Sequence, residues 1–357
     1  MLVTFPHMGT MHIVLRSLLT GFGLKTLAPP LSKKTLEIGA VHAPETACLP
    51  FKISLGTFIQ ALDQGADTIL TCGGCGPCRL GYYAEVQKDI LRDLGYDFEL
   101  VVVEPDIASV YAALRQMTPG RSWREIWQAF RLAGAKLTAI DAVDRRACFV
   151  RPREAHPGSI DNVRKEALVA IDRAGDPAEL ARTVRLIEDR ISAVAVDPAA
   201  TPLKIGLVGE IYLLLEPFAN QELTGRLGRL GVEVHSPMLL GEYVQTHILK
   251  NRQALKVNSA VAALAAPYLG HYVGGHGVKS VGYTVQMGRA GYDGMIHVFP
   301  FTCMPEVIAK NILPDVSSAA DIPVLSMAFD EQTGMAGVVT RLEAFTDLLR
   351  HRRRAGC

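Results

Sequence analysis

The sequence predicts an α/β protein: two parallel-sheet domains joined by a helical region. Three observations carry this. β-prone apolar segments alternate with helical patterns near both ends. The stretch from Ser122 to Pro198 is patterned mostly as helix. The length of 357 residues exceeds one ordinary hydrophobic core. The expected divisions are 1–120, 121–200 and 201–357.

Met1 to Phe5 is apolar and β-prone, the first strand. Met11 to Leu19 has helical spacing, and Gly21-Phe22-Gly23 ends it. Leu24 to Leu27 supplies a second short strand, and Ser32-Lys33-Lys34-Thr35 feeds a short helix. That is a βαβ unit, the start of a parallel sheet. Cys48 lies just before a further helix, because Pro50 suits a first helical turn and Ile53 to Leu62 is apolar at helical spacing. Ala66 to Leu70 is a buried strand and Ala84 to Leu91 a helix.

In the middle region Ser122 caps a helix, with Glu125 completing a capping box. Trp123 and Trp127, four apart, are expected to pack that helix. Asp176-Pro177 opens another helix through Ile191, whose Arg182, Arg185, Glu188, Asp189 and Arg190 form a solvated face. The last region repeats the alternation. Leu203 to Tyr212 reads as a strand and polar turn, Pro217 to Leu223 opens a helix, and Gly231 to Val234 is the next strand. Gly294 to Phe299 is a strand leading to a helix over Val307 to Leu313. Ile322 to Met327 is the last strand, Asp330 to Gly334 a carboxylate-rich turn, and Val339 to Leu349 the closing helix.

Composition excludes several classes. Lys and Arg number 37 against 36 Asp and Glu, so no electrostatic case exists for nucleic acid. No apolar run is long enough to span a bilayer, and no signal peptide is read at the start. The seven cysteines are therefore expected to be ligands or free thiols in a reducing cytoplasm.

Three of those cysteines stand at Cys72-x2-Cys75-x2-Cys78 among glycines, in a strand-to-helix turn. Backbone N–H groups in such a turn point outward, and thiolates at this spacing suit iron–sulfur clusters or zinc. No fourth cysteine follows locally, so further protein ligands must come from elsewhere in the chain. Cys48 and Cys303 both occur as Cys-x-Pro at the start of an apolar helix, and read as equivalent positions in the two halves. Ligands bind at the carboxyl ends of parallel strands. Two facing domains would bring Cys48, Cys72, Cys75, Cys78 and Cys303 to one interdomain cleft. Cys148 has no partner motif and reads as structural ahead of ligand, while Cys357 lies in a fraying tail. Glu210, at a strand's carboxyl end, is either a site carboxylate or a helix-capping or loop residue. His271 and His276 lie in a glycine-rich loop that lacks a nucleotide-binding pattern and reads as flexible.

Ala47 to Lys52, Cys75 to Tyr83, Gly209 to Tyr212, Pro300 to Glu306 and Asp330 to Gly334 together resemble the 2-hydroxyacyl-CoA dehydratase superfamily. Within it, the chain is most similar to the activase-associated and double-cubane iron–sulfur proteins. The resemblance implies two flavodoxin/Rossmann-like domains with a helical region and an iron–sulfur cluster in the interdomain cleft. That cluster is either a 4Fe–4S cubane or an 8Fe–9S double cubane. Cys48, Cys75, Cys78 and Cys303 match the family's cysteine motifs. The implied partner is an ATP-hydrolysing, actin-like activase that carries its own 4Fe–4S cluster. The implied substrate is a small molecule or an acyl-CoA, and the implied assembly a homodimer or heterodimer. The chain departs from the pattern in its added Cys72 and in Arg151-Pro152-Arg153-Glu154, where relatives tend to have Tyr for Arg. The expected function is a low-potential iron–sulfur reductase component. The alternatives are a 2-hydroxyacyl-CoA dehydratase subunit, an accessory protein that stores a cluster or delivers electrons, and a structural zinc protein.

Overall fold

The computed structural model describes residues 1–74, 77–118, 120 and 122–356. Eight strands fall into two four-stranded sheets in which every pairing is parallel. The first half runs β1 (Leu2–Thr4), α1 (Met11–Gly21), β2 (Lys25–Thr26), α2 (Lys33–His42), α3 (Leu49–Asp63), β3 (Thr68–Cys72), α4 (Leu80–Asp93) and β4 (Glu99–Val103). Helices then follow without a named strand: α5 (Ile107–Met117), α6 (Trp123–Val150), α7 (Ser159–Arg173) and α8 (Pro177–Ser192). The last part is β5 (Leu203–Gly209), α9 (Ile211–Leu215), α10 (Leu223–Arg229), β6 (Val232–His235), α11 (Leu240–Tyr243), α12 (Arg252–Ala265), α13 (Gly277–Arg289), β7 (Gly294–Pro300), α14 (Met304–Ala319), β8 (Val324–Phe329) and α15 (Met335–Arg354). The strand orders are β2-β1-β3-β4 and β6-β5-β7-β8, the same order twice. It is the start of the flavodoxin-type order, whose direction reverses between the first and third strands.

Local signals explain most of these elements. Ser32 accepts from Thr35 N and Ser122 from Glu125 N, closing two capping boxes. Asp176 accepts from Ala178 N and Glu179 N at the start of α8. Five expectations need correction. The helix expected from Pro217 begins only at Leu223, and a short helix, α9, stands where a polar turn was read. The α14 helix continues through Pro314 to Ala319, because Leu313 and Val316 are buried and packing outweighs the missing N–H. Trp123 and Trp127 do not pack α6. They are 69% and 54% exposed, with Arg124 and Arg131 lying over their rings. The 270–277 loop is packed, since the Gly274 and Gly275 backbones lie against Cys78 and Pro305.

The α3 helix joins the two halves. Its Leu49 and Ile53 are buried in the core of the second sheet, among Leu207, Val298 and Phe329. Its opposite face, with Phe51, Leu55 and Phe58, packs on α4 and β3. Lys52 is buried and pairs with Glu331 in the turn after β8. Elsewhere Glu216 accepts from Gly9 N at 2.6 Å and meets His7 Nδ1 at 3.1 Å. The α3 helix is itself held by α2 through a backbone crossing. A Cβ on Gly39 would lie 1.7 Å from Lys52 O, and one on Gly56 would lie 1.9 Å from Thr35 O. Only glycine permits that approach.

Two predictions follow from this packing. Gly56→Ala forces α2 away from α3 and should lower stability by about 1–3 kcal/mol in urea unfolding; an unchanged midpoint would mean the crossing relaxes freely. Burial pushes the Asp141 carboxyl up to about 6 in α6, although Gly241 N donates to it at 3.1 Å. A raised carboxylate pKa costs stability above that pKa, and the cost disappears below the unfolded value. Asp141→Asn should therefore stabilise the protein at pH 7–8 by on the order of 1 kcal/mol, discounted for partial exposure. The gain should vanish below about pH 4. A pH-independent difference in melting temperature would contradict this.

Candidate metal centre

In a parallel sheet the crossover helices run antiparallel to the strands, so their N-termini gather at the strands' carboxyl edge. Several of those N-termini here carry reactive side chains. Cys48 is the N-cap of α3, Glu210 of α9, His276 of α13 and Cys303 of α14. Cys78 immediately precedes Arg79, the N-cap of α4. The chain turns out of β5 at Gly209, whose φ is +141° and where a Cβ would meet Val298 O at 1.8 Å. This turn delivers Glu210, whose N–H donates to Val298 O at 3.0 Å.

Cys48 and Cys303 are not topologically equivalent, contrary to the sequence reading. Cys48 starts the helix that leads into the third strand of its sheet, and Cys303 the helix that leaves the third strand of the other. The counterpart of Cys303 is the Cys78 turn, and the counterpart of Cys48 is His276. Cys-x-Pro marks a helix N-terminus locally and carries no information about which crossover it opens.

Three of the predicted thiols nonetheless lie within one electrostatic neighbourhood. Cys48 feels Glu210 and Cys78, and Cys303 feels Glu210, Glu306 and Cys48. Cys78 feels Glu210 and Glu306. Burial pushes the Cys48 thiol up to about 11, with Tyr83 opposing through its hydroxyl hydrogen bond to Sγ. Burial likewise raises Cys78 and, strongly, Cys303. The N–H groups of Phe51 and Glu306, third residues of their helices, favour the two sulfurs electrostatically without forming close cap bonds. Desolvation pushes Glu210 up to about 7, against hydrogen bonds from Tyr212 N and Leu213 N, both 3.0 Å. Glu210 thus caps α9, the capping role among those read from the sequence, and it lies in the electrostatic neighbourhood of the thiols.

The remaining predicted ligands stand differently. Cys72 is the last residue of β3, exposed, near Glu104 and Tyr243. Cys75 lies outside the described residues, as does Cys357. Cys148 is in α6 beside Arg151, Asp144 and Arg164. His271 is exposed.

Two residues that the sequence did not single out complete the neighbourhood. Tyr83 reaches Cys48 and stacks edge-on against Phe51 at 5.0 Å, a long-range contact with no local signature. Glu306 is fully buried, its Oε2 accepting from Ser280 Oγ at 2.8 Å and meeting His297 Nε2 at 2.9 Å. Its Oε1 is buried without a hydrogen-bond partner, and so is Thr302 Oγ1. The spacing of Glu306, three residues after the N-cap Cys303, was the available signal.

Among the described residues, no three His, Cys, Asp or Glu side chains close around a single-ion position. The donor set does fit a polynuclear cluster. Each thiolate of a cubane binds its own iron, so the sulfurs surround a volume rather than a point. Three thiols and Glu210, raised first by burial and then by acidic neighbours, form a site whose repulsion a cationic centre relieves. Helix N-termini favour the net negative charge of a thiolate-bound cluster. No protein-family model matches the chain, and a search of curated proteins finds no match.

Replacing Glu306 tests the internal network. Glu306→Leu strands Ser280 and His297 and should cost about 2–3 kcal/mol more than Glu306→Gln, which keeps one acceptor. Equal unfolding midpoints for the two variants would show that the network contributes nothing.

Proposed function

We propose that the chain is an iron–sulfur protein, a low-potential reductase component that receives electrons from an ATP-hydrolysing partner and passes them to a small substrate. The observation that carries this reading is the gathering of Cys48, Cys78 and Cys303 at helix N-termini from the carboxyl edges of two sheets. Cys48, Cys78 and Cys303 would hold the cluster, with Cys72 and Cys75 from the same glycine-rich turn as further ligands. A bound 4Fe–4S or 8Fe–9S cluster supplies electron transfer at a potential set by its hydrogen bonds and burial. The protein's own groups do the rest. The N–H groups of Phe51 and Glu306 face the sulfurs and favour the reduced, more negative state. Tyr83 fixes the orientation of Cys48. Glu210 is the candidate catalytic carboxylate, a group beside the thiols able to carry a proton. The burial of Leu49 and Ile53 keeps water from the α3 side. Among the described residues no helix is long and apolar enough to cross a membrane. The resemblance to the dehydratase superfamily supports the same reading from the motifs.

Anaerobic purification followed by iron, sulfide and zinc determination tests it. About four irons per chain, or about eight for a linked pair, with matching sulfide are expected. Cys48→Ser and Cys303→Ser should each lose most of the iron, and Cys148→Ser should retain it. Stoichiometric zinc without sulfide would sink the redox reading.

A further inference from the structure

Beside the thiol neighbourhood, the chain leaves α11 into a π-helical turn, Val244–Ile248. Such turns break the regular hydrogen-bond ladder and recur at functional sites. This one presents His247 to the first turn of α13, where Lys279 Nζ lies 3.1 Å from His247 Nε2. The Tyr243 ring packs at 4.7 Å from the His247 ring and 6.2 Å from that of His276. His276, Lys279, Tyr243, Tyr283 and Glu242 line a cavity of about 20 Å³, enough for one small polar group. Two basic side chains, His276 and Lys279, thus line one cavity with His247 held against Lys279, and among the described residues the one carboxylate lining it, Glu242, is bridged to Arg145 at 3.0 Å. The α13 N-cap makes no side-chain cap hydrogen bond, so its helix dipole adds to the positive field.

The basic groups are held away from their charged forms. Burial, then Lys279, pushes His247 down to about 4. Burial, then Lys279 and His247, pushes His276 down to about 3. Burial lowers Lys279, against the pull of Glu242. A bound anion would offset that mutual repulsion.

We propose that this cavity is an anion-binding subsite in which Lys279 and His276, with His247 against Lys279, hold one oxygen of the carboxylate or phosphate end of a small ligand. The loop before α13 connects the subsite to the thiols, because the Gly274 backbone, two residues before His276, lies against Cys78. A ligand anchored here would extend toward the candidate metal centre; that last step rests on the proposed function, whereas anion binding does not.

Calorimetric titration of the anaerobically purified full chain with inorganic phosphate, and separately with acetate, tests the subsite. One saturable site per chain is expected for at least one anion, and the stronger binder tells phosphate from carboxylate chemistry. Acetate affinity should rise as the pH falls from about 8 to 6, since the anion favours the charged imidazoles over the neutral ones. Lys279→Gln should weaken binding about tenfold or more with unchanged circular dichroism. If that variant does not fold, His247→Asn carries the same expectation. No saturable binding of either anion, or wild-type affinity in the folded variants, overturns the subsite. Iron measured on the same samples separates the two readings. Anion binding without iron keeps the subsite and removes the metal centre, whereas iron without anion binding removes the subsite alone.

Discussion

Everything at the candidate site depends on one geometric constraint. Parallel strands require crossover helices that return antiparallel to them, so helix N-termini collect at one edge of each sheet. The α3 helix joins these edges by belonging to both halves. Leu49 and Ile53 sit in the core of the second sheet while Phe51, Leu55 and Phe58 face the first. The glycine crossing with α2 fixes that helix, and with it the position of Cys48 at its start. The thiol neighbourhood therefore spans the two halves because a single helix does.

The electrostatics of the neighbourhood run against ordinary folding preferences. Buried polar groups are normally paired, and buried acidic groups normally have cationic partners. Here burial raises the proton affinity of Cys48, Cys78, Cys303 and Glu210, their acidic neighbours add to it, and Glu306 Oε1 has no hydrogen-bond partner among the described residues. Such frustration is retained where function requires it. The nearby Lys279, His247 and His276 show the opposite pattern, three basic groups depressed by burial and proximity. An acidic and a basic cluster thus adjoin through the loop before α13, each favouring a ligand of opposite charge.

Several features were legible from residues alone because their causes are local. The capping box at Ser122, the helix fed by Ser32 to Thr35, the N-terminal prolines after Cys48 and Cys303, and the alternation of strand and helix are all set within a few residues. The two errors of role have the same origin. Cys48 and Cys303 look alike locally, yet open different crossovers. Trp123 and Trp127 have packing spacing, yet the face they occupy meets solvent and their own neighbouring arginines.

The sequence by itself determined that Ser122 and Asp176 open helices, where the described strands other than β4 lie and that Cys48, Cys78 and Cys303 belong at helix starts, since short-range sterics and hydrogen bonding decide those. Only the tertiary structure decided that these three thiols share one electrostatic neighbourhood with Glu210 and Glu306, that Tyr83 reaches Cys48, and that Lys279 lies against His247. Those neighbours are brought together by sheet order and by the double burial of α3, and contacts between residues tens to hundreds of positions apart leave no periodic trace in the chain.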